Sequence, residues 1–181
     1  GDDLFVGSTI DRLIRKATVP ILIIKNKDHL HPQKILMPIC INKVALDTLE
    51  FSTIISTFND NSLVEPLYII QESQYKLLKL KNLAEVERVE KDPEQKKLIK
   101  RISERINALT RSGHVMREQI ANQRNLSISN ALISAIKMSE SDLVIMGKNN
   151  DSGFFNSMRD SEIADLLNEI DQSLLIIKPF S

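Results

Sequence analysis

Apolar positions along this chain alternate between helical stripes and short continuous runs. Ile10, Leu13, Ile14 and Ala17 recur at helical spacing behind Ser8-Thr9, a favourable N-cap pair. Thr18-Val19-Pro20 ends that helix, and residues 21–24 form an unbroken apolar run, as in a buried strand. Residues 26–33, with His29, His31 and Pro32, have no period and read as a linker. The alternation then restarts. A strand is predicted over 34–40. A helix follows over 43–58, with Ala45, Leu49, Ile54, Ile55 and Phe58 available for one face. A second strand is predicted over 63–70. Residues 72–93 are highly charged with scattered leucines, an excursion that is part helix and part mobile loop. Leu98, Ile102, Ile106 and Leu109 mark an amphipathic helix over 94–111, stopped by Gly113. A strand over 115–121, a helix over 128–138, a strand over 143–146, a helix over 160–170 and a strand over 174–177 complete the pattern.

From residue 34 the order is strand, helix, four times, then a final strand. Such alternation predicts a doubly wound α/β fold, here a five-stranded, mainly parallel sheet with helices on both faces. Ligands of such sheets sit beyond the carboxyl ends of the strands, where the strand order reverses. The stretches to inspect are therefore 40–43, 71–74, 122–125 and 147–153.

Lys plus Arg and Asp plus Glu number 24 each, so the net charge is zero. Global charge gives no reason to expect nucleic acid or an anionic membrane as a partner. The single cysteine, Cys40, excludes an intrachain disulfide and suits a reducing compartment. No apolar run reaches the ~18 residues of a membrane span, and no signal-peptide pattern opens the chain. The expected location is the cytoplasm, with no membrane insertion.

The chain also repeats itself. Laid without a gap over residues 159–179, residues 6–26 match at Ser8/Ser161, Ile10/Ile163, Leu13/Leu166, Leu22/Leu175, Ile23/Ile176, Ile24/Ile177 and Lys25/Lys178. The match keeps register through helix, loop and strand together, which predicts an internal duplication. Residues 1–26 are then the closing helix and strand of a first unit whose front is missing, 27–33 a linker, and 34–181 a complete second unit.

At this point the residues resemble a known family. KILMPICINKVALDTLEFS, ISNALISAIKMSESDLVIMGKNNDSGF and RDSEIADLLNEIDQSLLIIKP are similar, in order and spacing, to the universal stress protein (UspA-like) domain. FVGSTIDRLIRKATVPILIIKN resembles its closing segment again. The resemblance implies a Rossmann-like fold of the adenine-nucleotide alpha-hydrolase type, and the C-terminal part of a tandem two-domain member. It also implies that last strands pair antiparallel across a two-fold axis. The candidate dimer strands are Ile21, Leu22, Ile23 and Ile24, and Leu174, Leu175, Ile176 and Ile177. Pairing covers two apolar edges that are liabilities when exposed. A homodimer or pseudo-dimer is expected, with the first-unit remnant docked in its own chain or swapped onto another.

ATP-binding members of that family carry a loop of glycine, two residues, glycine, nine residues, glycine, then serine or threonine. Glycines let backbone amides approach phosphates, and a helix N-terminus favours their charge. Here Gly147 holds the first place and Ser161 the last, but Asn150 and Asp160 replace the second and third glycines. Gly153 lies within the spacer. Asn150 can adopt a left-handed conformation. Asp160 sets a carboxylate near the phosphates, and two unit charges about 4 Å apart repel by ~4 kcal/mol at an effective dielectric near 20. Asp160 also suits a plain helix cap. After Pro38 and Ile39, Cys40 stands where nucleotide-binding members usually place an aspartate for the adenosine. Gly7 and Ser8 keep, in the first-unit remnant, the glycine–serine element that Asp160 breaks, although Gly7-Ser8-Thr9 is also an ordinary helix start.

Other groups carry less. His29 and His31 stand in a linker without a nearby cysteine and read poorly as a metal pair. Ser127 and Ser129 have no histidine base at a recognisable spacing. Lys96, Lys97, Lys100, Arg101 and Arg105 form a basic helix face that reads as solvated. Met37, Met146 and His114 read as structural. The expected function is non-enzymatic, a stress-response or signalling module that acts through an unknown protein partner, with a degenerate nucleotide site and no cofactor. The alternatives are an ATP-binding switch or weak ATPase, and a regulatory domain of a transporter or kinase.

Overall fold

The structure is a computed structural model, and it describes residues 3–39, 41, 44–70, 79–148 and 160–178. The elements are α1 (Asp3–Lys16), β1 (Ile21–Ile23), β2 (Lys34–Pro38), α2 (Val44–Thr57), β3 (Leu63–Ile70), α3 (Leu83–Val89), α4 (Pro93–Arg111), β4 (Gln119–Asn122), α5 (Ile128–Ser139), β5 (Leu143–Gly147), α6 (Asp160–Glu169) and β6 (Ser173–Ile177). The sheet order is β1-β6-β5-β2-β3-β4. All neighbours run parallel except β1 and β6. The sheet therefore has six strands. Five come from residues 34–181, and β1 adds the sixth antiparallel at the edge.

Side chains leave each strand alternately to opposite faces, and the core divides accordingly. Leu36, Leu67, Val144, Met146, Leu174 and Ile176 face α1, α5 and α6, where they meet Ile14, Leu132, Ile136, Leu166 and Ile170. Met37 and Ile70 face α2, α3 and α4, where Leu49, Leu83, Ile99, Ile102 and Ile106 cover them. Ile35, Leu143, Ile145, Leu175 and Ile177 complete this second face, with Phe51 and Ile55 of α2 packed against them. Met37 and Met146 are core, as the pattern predicts. Among the described residues no helix is long and apolar enough to cross a membrane.

The structure differs from the pattern in four places. Ile54 and Phe58 of the second helix are 52 % and 73 % exposed. The buried stripe of α2 is Ala45, Thr48, Leu49, Ser52, Thr53 and Ser56. Small residues let this helix lie close to the sheet, and their hydroxyls need no outside partner. Thr48 Oγ1 donates to the Val44 carbonyl, and Ser52 Oγ to that of Thr48, each at 2.8 Å. α1 begins at Asp3, so Gly7 and Ser8 lie inside the helix and Ser8-Thr9 is not its start. The interior glycine costs about 1 kcal/mol of helix stability. The fourth strand is Gln119–Asn122 and not 115–121. Before it the backbone pairs with β3 at the isolated Val64–Met116 bridge, and the Arg117 side chain reaches Glu65. The linker contains a 3-10 turn, Lys27–Leu30, capped by the Asn26 side chain.

The described part of the charged excursion is packed. Asn82 caps α3 by accepting from the Glu85 amide, and Leu83 and Val86 are buried. The Leu83 amide donates to Glu118 Oε2 at 2.8 Å. Burial pushes the Glu118 carboxyl above its ordinary range, and this amide only partly opposes the shift. Such a group binds protons more tightly folded than unfolded. Its ionisation therefore costs stability at neutral pH, and that cost is relieved as pH falls through the folded pKa. Glu118→Gln keeps the acceptor for Leu83 and removes the charge. Its melting temperature should exceed that of the parent at pH 7, and the difference should shrink on acidification towards pH 4.5. A constant or growing difference would contradict this account of Glu118.

Candidate functional site

Strand order reverses between β5 and β2, which lie side by side with Ile35 opposite Leu143 and Leu36 opposite Val144. Their carboxyl ends bring Pro38-Ile39 next to Gly147. Ile39 is fully buried, and its amide donates to the Leu67 carbonyl at 2.7 Å. Its side chain belongs to the core. Gly147 is explained by packing. A Cβ there would come within 2.5 Å of Thr48 Oγ1 and 2.6 Å of Val44 Cγ1. The first turn of α2 sits against the end of β5, and only glycine leaves it room. The next residue, Lys148, is held by its amide to the Ile177 carbonyl at 2.8 Å. Cys40, Asn150 and Gly153 lie outside the described residues. The backbones of Asp160 and Ser161 open α6, while their side chains, like that of Ser8, lie outside the described part. Of the stretches singled out, 71–74 is also outside it, and 122–125 ends β4 at the far edge of the sheet, away from the strand reversal.

The other end of the sheet brings the two sequence repeats together. β1 and β6 pair as Ile21 opposite Ile176, Leu22 opposite Leu175, and Ile23 opposite Leu174. In the ungapped repeat, Leu22 corresponds to Leu175, so Leu22 faces its own counterpart. Ile21 and Ile23 face the counterparts of each other. This register is that of a local two-fold axis through the Leu22–Leu175 pair. Ile24 lies just past β1, and Ile177 pairs inward with Gly147 of β5.

The lysines that follow the two strands obey the same symmetry. Lys25 Nζ donates to the carbonyls of Leu167 and Ile170, at the C-terminal end of α6. Lys178 Nζ donates to the Ile14 carbonyl, at the C-terminal end of α1. Ile14 and Leu167 correspond in the repeat. Each strand's lysine thus satisfies carbonyls left over at the end of the helix in the other sequence repeat, where a cation also suits the helix dipole. Burial lowers the pKa of both lysines. Asp171 opposes the shift for Lys25, and Lys148 adds to it for Lys178. His29 fastens the connection, with its Nδ1 3.0 Å from Ser173 Oγ and 3.2 Å from the Ser173 amide. Among the described residues no group of three His, Cys, Asp or Glu is arranged for a metal ion.

A buried carboxylate was missed by the sequence reading. Glu65 sits in the middle of β3 with its side chain 3 % exposed. Its Oε1 accepts from Arg117 Nε at 2.7 Å, from Arg117 Nη2 and from Gln119 Nε2 at 3.2 Å, and Lys34 Nζ lies 3.1 Å from Oε2. The available signal was a lone acid in an otherwise apolar strand run, because a buried charge requires partners.

No family model matches the chain, and no curated protein does. Solved structures do. A universal stress protein from Archaeoglobus fulgidus DSM 4304 superposes with a TM-score of 0.63 at 13 % identity, over 97 % of this chain and 55 % of that one. The hypothetical protein MJ0577 gives 0.51 at 16 % identity, over 84 % of this chain and 99 % of that one. A universal stress protein solved in complex with cAMP gives 0.50 at 12 % identity, over 82 % and 98 %. The chain has the fold of the universal stress proteins, and spans about half the length of the Archaeoglobus structure.

Two measurements test this geometry. Gly147→Ala should lower stability by about 1–3 kcal/mol, the usual cost of overpacking, read from urea melts. A loss below ~0.5 kcal/mol would mean that α2 does not press on the end of β5. Lys178→Met and Lys25→Met should each open the β1–β6 contact at a cost of about 1 kcal/mol. Hydrogen exchange should quicken in residues 10–25 and not in β2 or β3. Unchanged protection of α1 and β1 in both variants would sink the reciprocal capping.

Proposed function

We propose that this chain is a universal stress protein of tandem organisation. In this reading it is a cytoplasmic stress-response or signalling module that acts through protein contacts, with a degenerate nucleotide site and no enzymatic role. The observation that carries the reading is the two-fold register of β1 and β6 about Leu22 and Leu175, in phase with the sequence repeat. Residues 1–26 are the closing helix and strand of a first unit, 27–33 the linker, and 34–181 the second unit. Coverage supports this. The neighbour covered at 99 % takes 84 % of this chain, whereas the one covered at 55 % takes 97 %.

The pairing that a dimer of such units would make is made here within one chain. β1 occupies the edge of β6, so a homodimer through β6 would have to displace it. Leu13, Leu22 and Ile24 stay exposed around this junction and offer apolar contact to a protein partner. Two features weaken nucleotide binding in residues 34–181. Asp160 takes the place of a glycine at the first residue of α6, and Cys40 takes that of an aspartate. A second reading, an ATP- or cAMP-binding switch with at most weak hydrolysis, is favoured by the fold's neighbour in complex with cAMP.

Thermal shift with ATP and magnesium separates the two, backed by mass spectrometry of small molecules released on heating. A ligand at 100 times its Kd stabilises by about 2.7 kcal/mol, an easily read shift. The proposed module should release no adenine nucleotide and show no shift at millimolar ATP. A saturable shift, or nucleotide near one per chain, would establish the switch reading in its place.

A further inference from the structure

A cleft of about 500 Å³ lies between α5 and the edge strand β4, on the sheet face that carries Glu65. Lys34 and Leu36 of β2 line it, whereas Pro38, Ile39 and Gly147, at the carboxyl ends of the strand reversal, are not in its lining. The volume is in the range of small-molecule sites. Its walls divide by chemistry. Leu67 of β3 with Ala131, Ala135 and Met138 of α5 form an apolar side, on which Met138 is 74 % exposed. Lys34, Arg117 and Arg124 supply three cations against the single carboxylate of Glu65.

We propose that this cleft binds a small amphipathic anion, its acidic group held by Arg117 and Arg124 and its apolar body lying along α5. Glu65 prepares the site. It is buried and accepts from Arg117 through Nε and Nη2 while also pairing with Lys34. Those two contacts use two of the five guanidinium donors, and the Nη1 pair is left for a ligand. The Arg117 side chain is 57 % exposed, so its free edge is reachable. A guanidinium already fixed by a buried acceptor loses little freedom on binding, and its planar fork suits a carboxylate, sulfonate or phosphate. Arg124 follows β4 and lines the cleft, with a left-handed backbone (φ 52°) held by its amide to Asn122 Oδ1 at 2.8 Å. The turn that ends β4 thus fixes the backbone of a second cation of the lining. The small residues of α5 leave space for a flat or narrow body that a leucine stripe would have filled.

The test uses 1-anilinonaphthalene-8-sulfonate, a fluorescent amphipathic anion, with the full folded chain. Saturable one-site binding is expected. Uncharged N-phenyl-1-naphthylamine should bind at least about tenfold more weakly, as should the sulfonate to Arg124→Glu, each corresponding to ~1.4 kcal/mol. Ala135→Trp should fill the cleft and abolish binding. Circular dichroism melts show whether the variants are folded. If Ala135→Trp is not, Arg124→Glu, at an exposed position, decides alone. Absence of saturable binding, equal affinity for the uncharged probe, or indifference to Arg124→Glu would each overturn the proposal.

Discussion

The antiparallel contact between β1 and β6 is the constraint on which the N-terminal part of the fold depends. A helix and a three-residue strand cannot enclose a core of their own. Isolated helices of such length are marginal in water, and so are isolated strand pairs. α1 and β1 persist because β6 offers an open, apolar edge and α6 offers a flank for Ile14. The benefit is mutual. Without β1, β6 would present a row of unpaired backbone groups beside Leu174 and Ile176, the kind of edge that invites aggregation. Two lysines then fix the arrangement by reaching across it to carbonyls at the ends of the opposite helices. The burial that lowers their pKa values shows that this capping is made at some electrostatic cost.

A second constraint acts at the strand reversal. α2 approaches the sheet on a stripe of alanine, serine and threonine, and Gly147 admits the first turn of that helix. One glycine at a strand end therefore has a packing reason that is independent of any phosphate. A glycine-loop resemblance that begins at such a residue is weaker evidence for nucleotide than its spacing suggests. The residues that would decide chemistry there are the ones that depart from the family pattern.

Much of this was legible in the chain. The strand at 63–70 follows from an apolar run broken by Glu65 and Pro66, the strand expected at 143–146 and found at Leu143–Gly147 from a continuous one, and the helix ending at Arg111 from the Leu98, Ile102, Ile106 and Leu109 stripe. The match of 6–26 to 159–179 keeps register through helix, loop and strand in the sequence, and its two strands pair in the structure. Failures came where tertiary contact overruled local pattern. Ile54 and Phe58 look like core residues, yet the sheet takes the small polar stripe of α2, since closeness there contributes more than bulk. The strand ending at Asn122 starts later than its pattern predicts, and Arg117 before it pairs with Glu65, a partner 52 positions away that no local period reveals. The cleft beside α5 was invisible for the same reason, being made by what α5 does not fill.

Joining the two halves of the junction in one chain frees them to differ. In an assembly of identical subunits, any change near the axis appears twice. Here it appears once. Pro20 and Ser173 occupy equivalent places in the repeat, and only Ser173 has an amide and a hydroxyl to give. It accepts from the Lys25 amide and meets His29, and proline at its counterpart can do neither. One half of the junction has become a fastening point for the linker while the other has not. Such division of labour is open to a covalently joined pair and closed to a symmetric one.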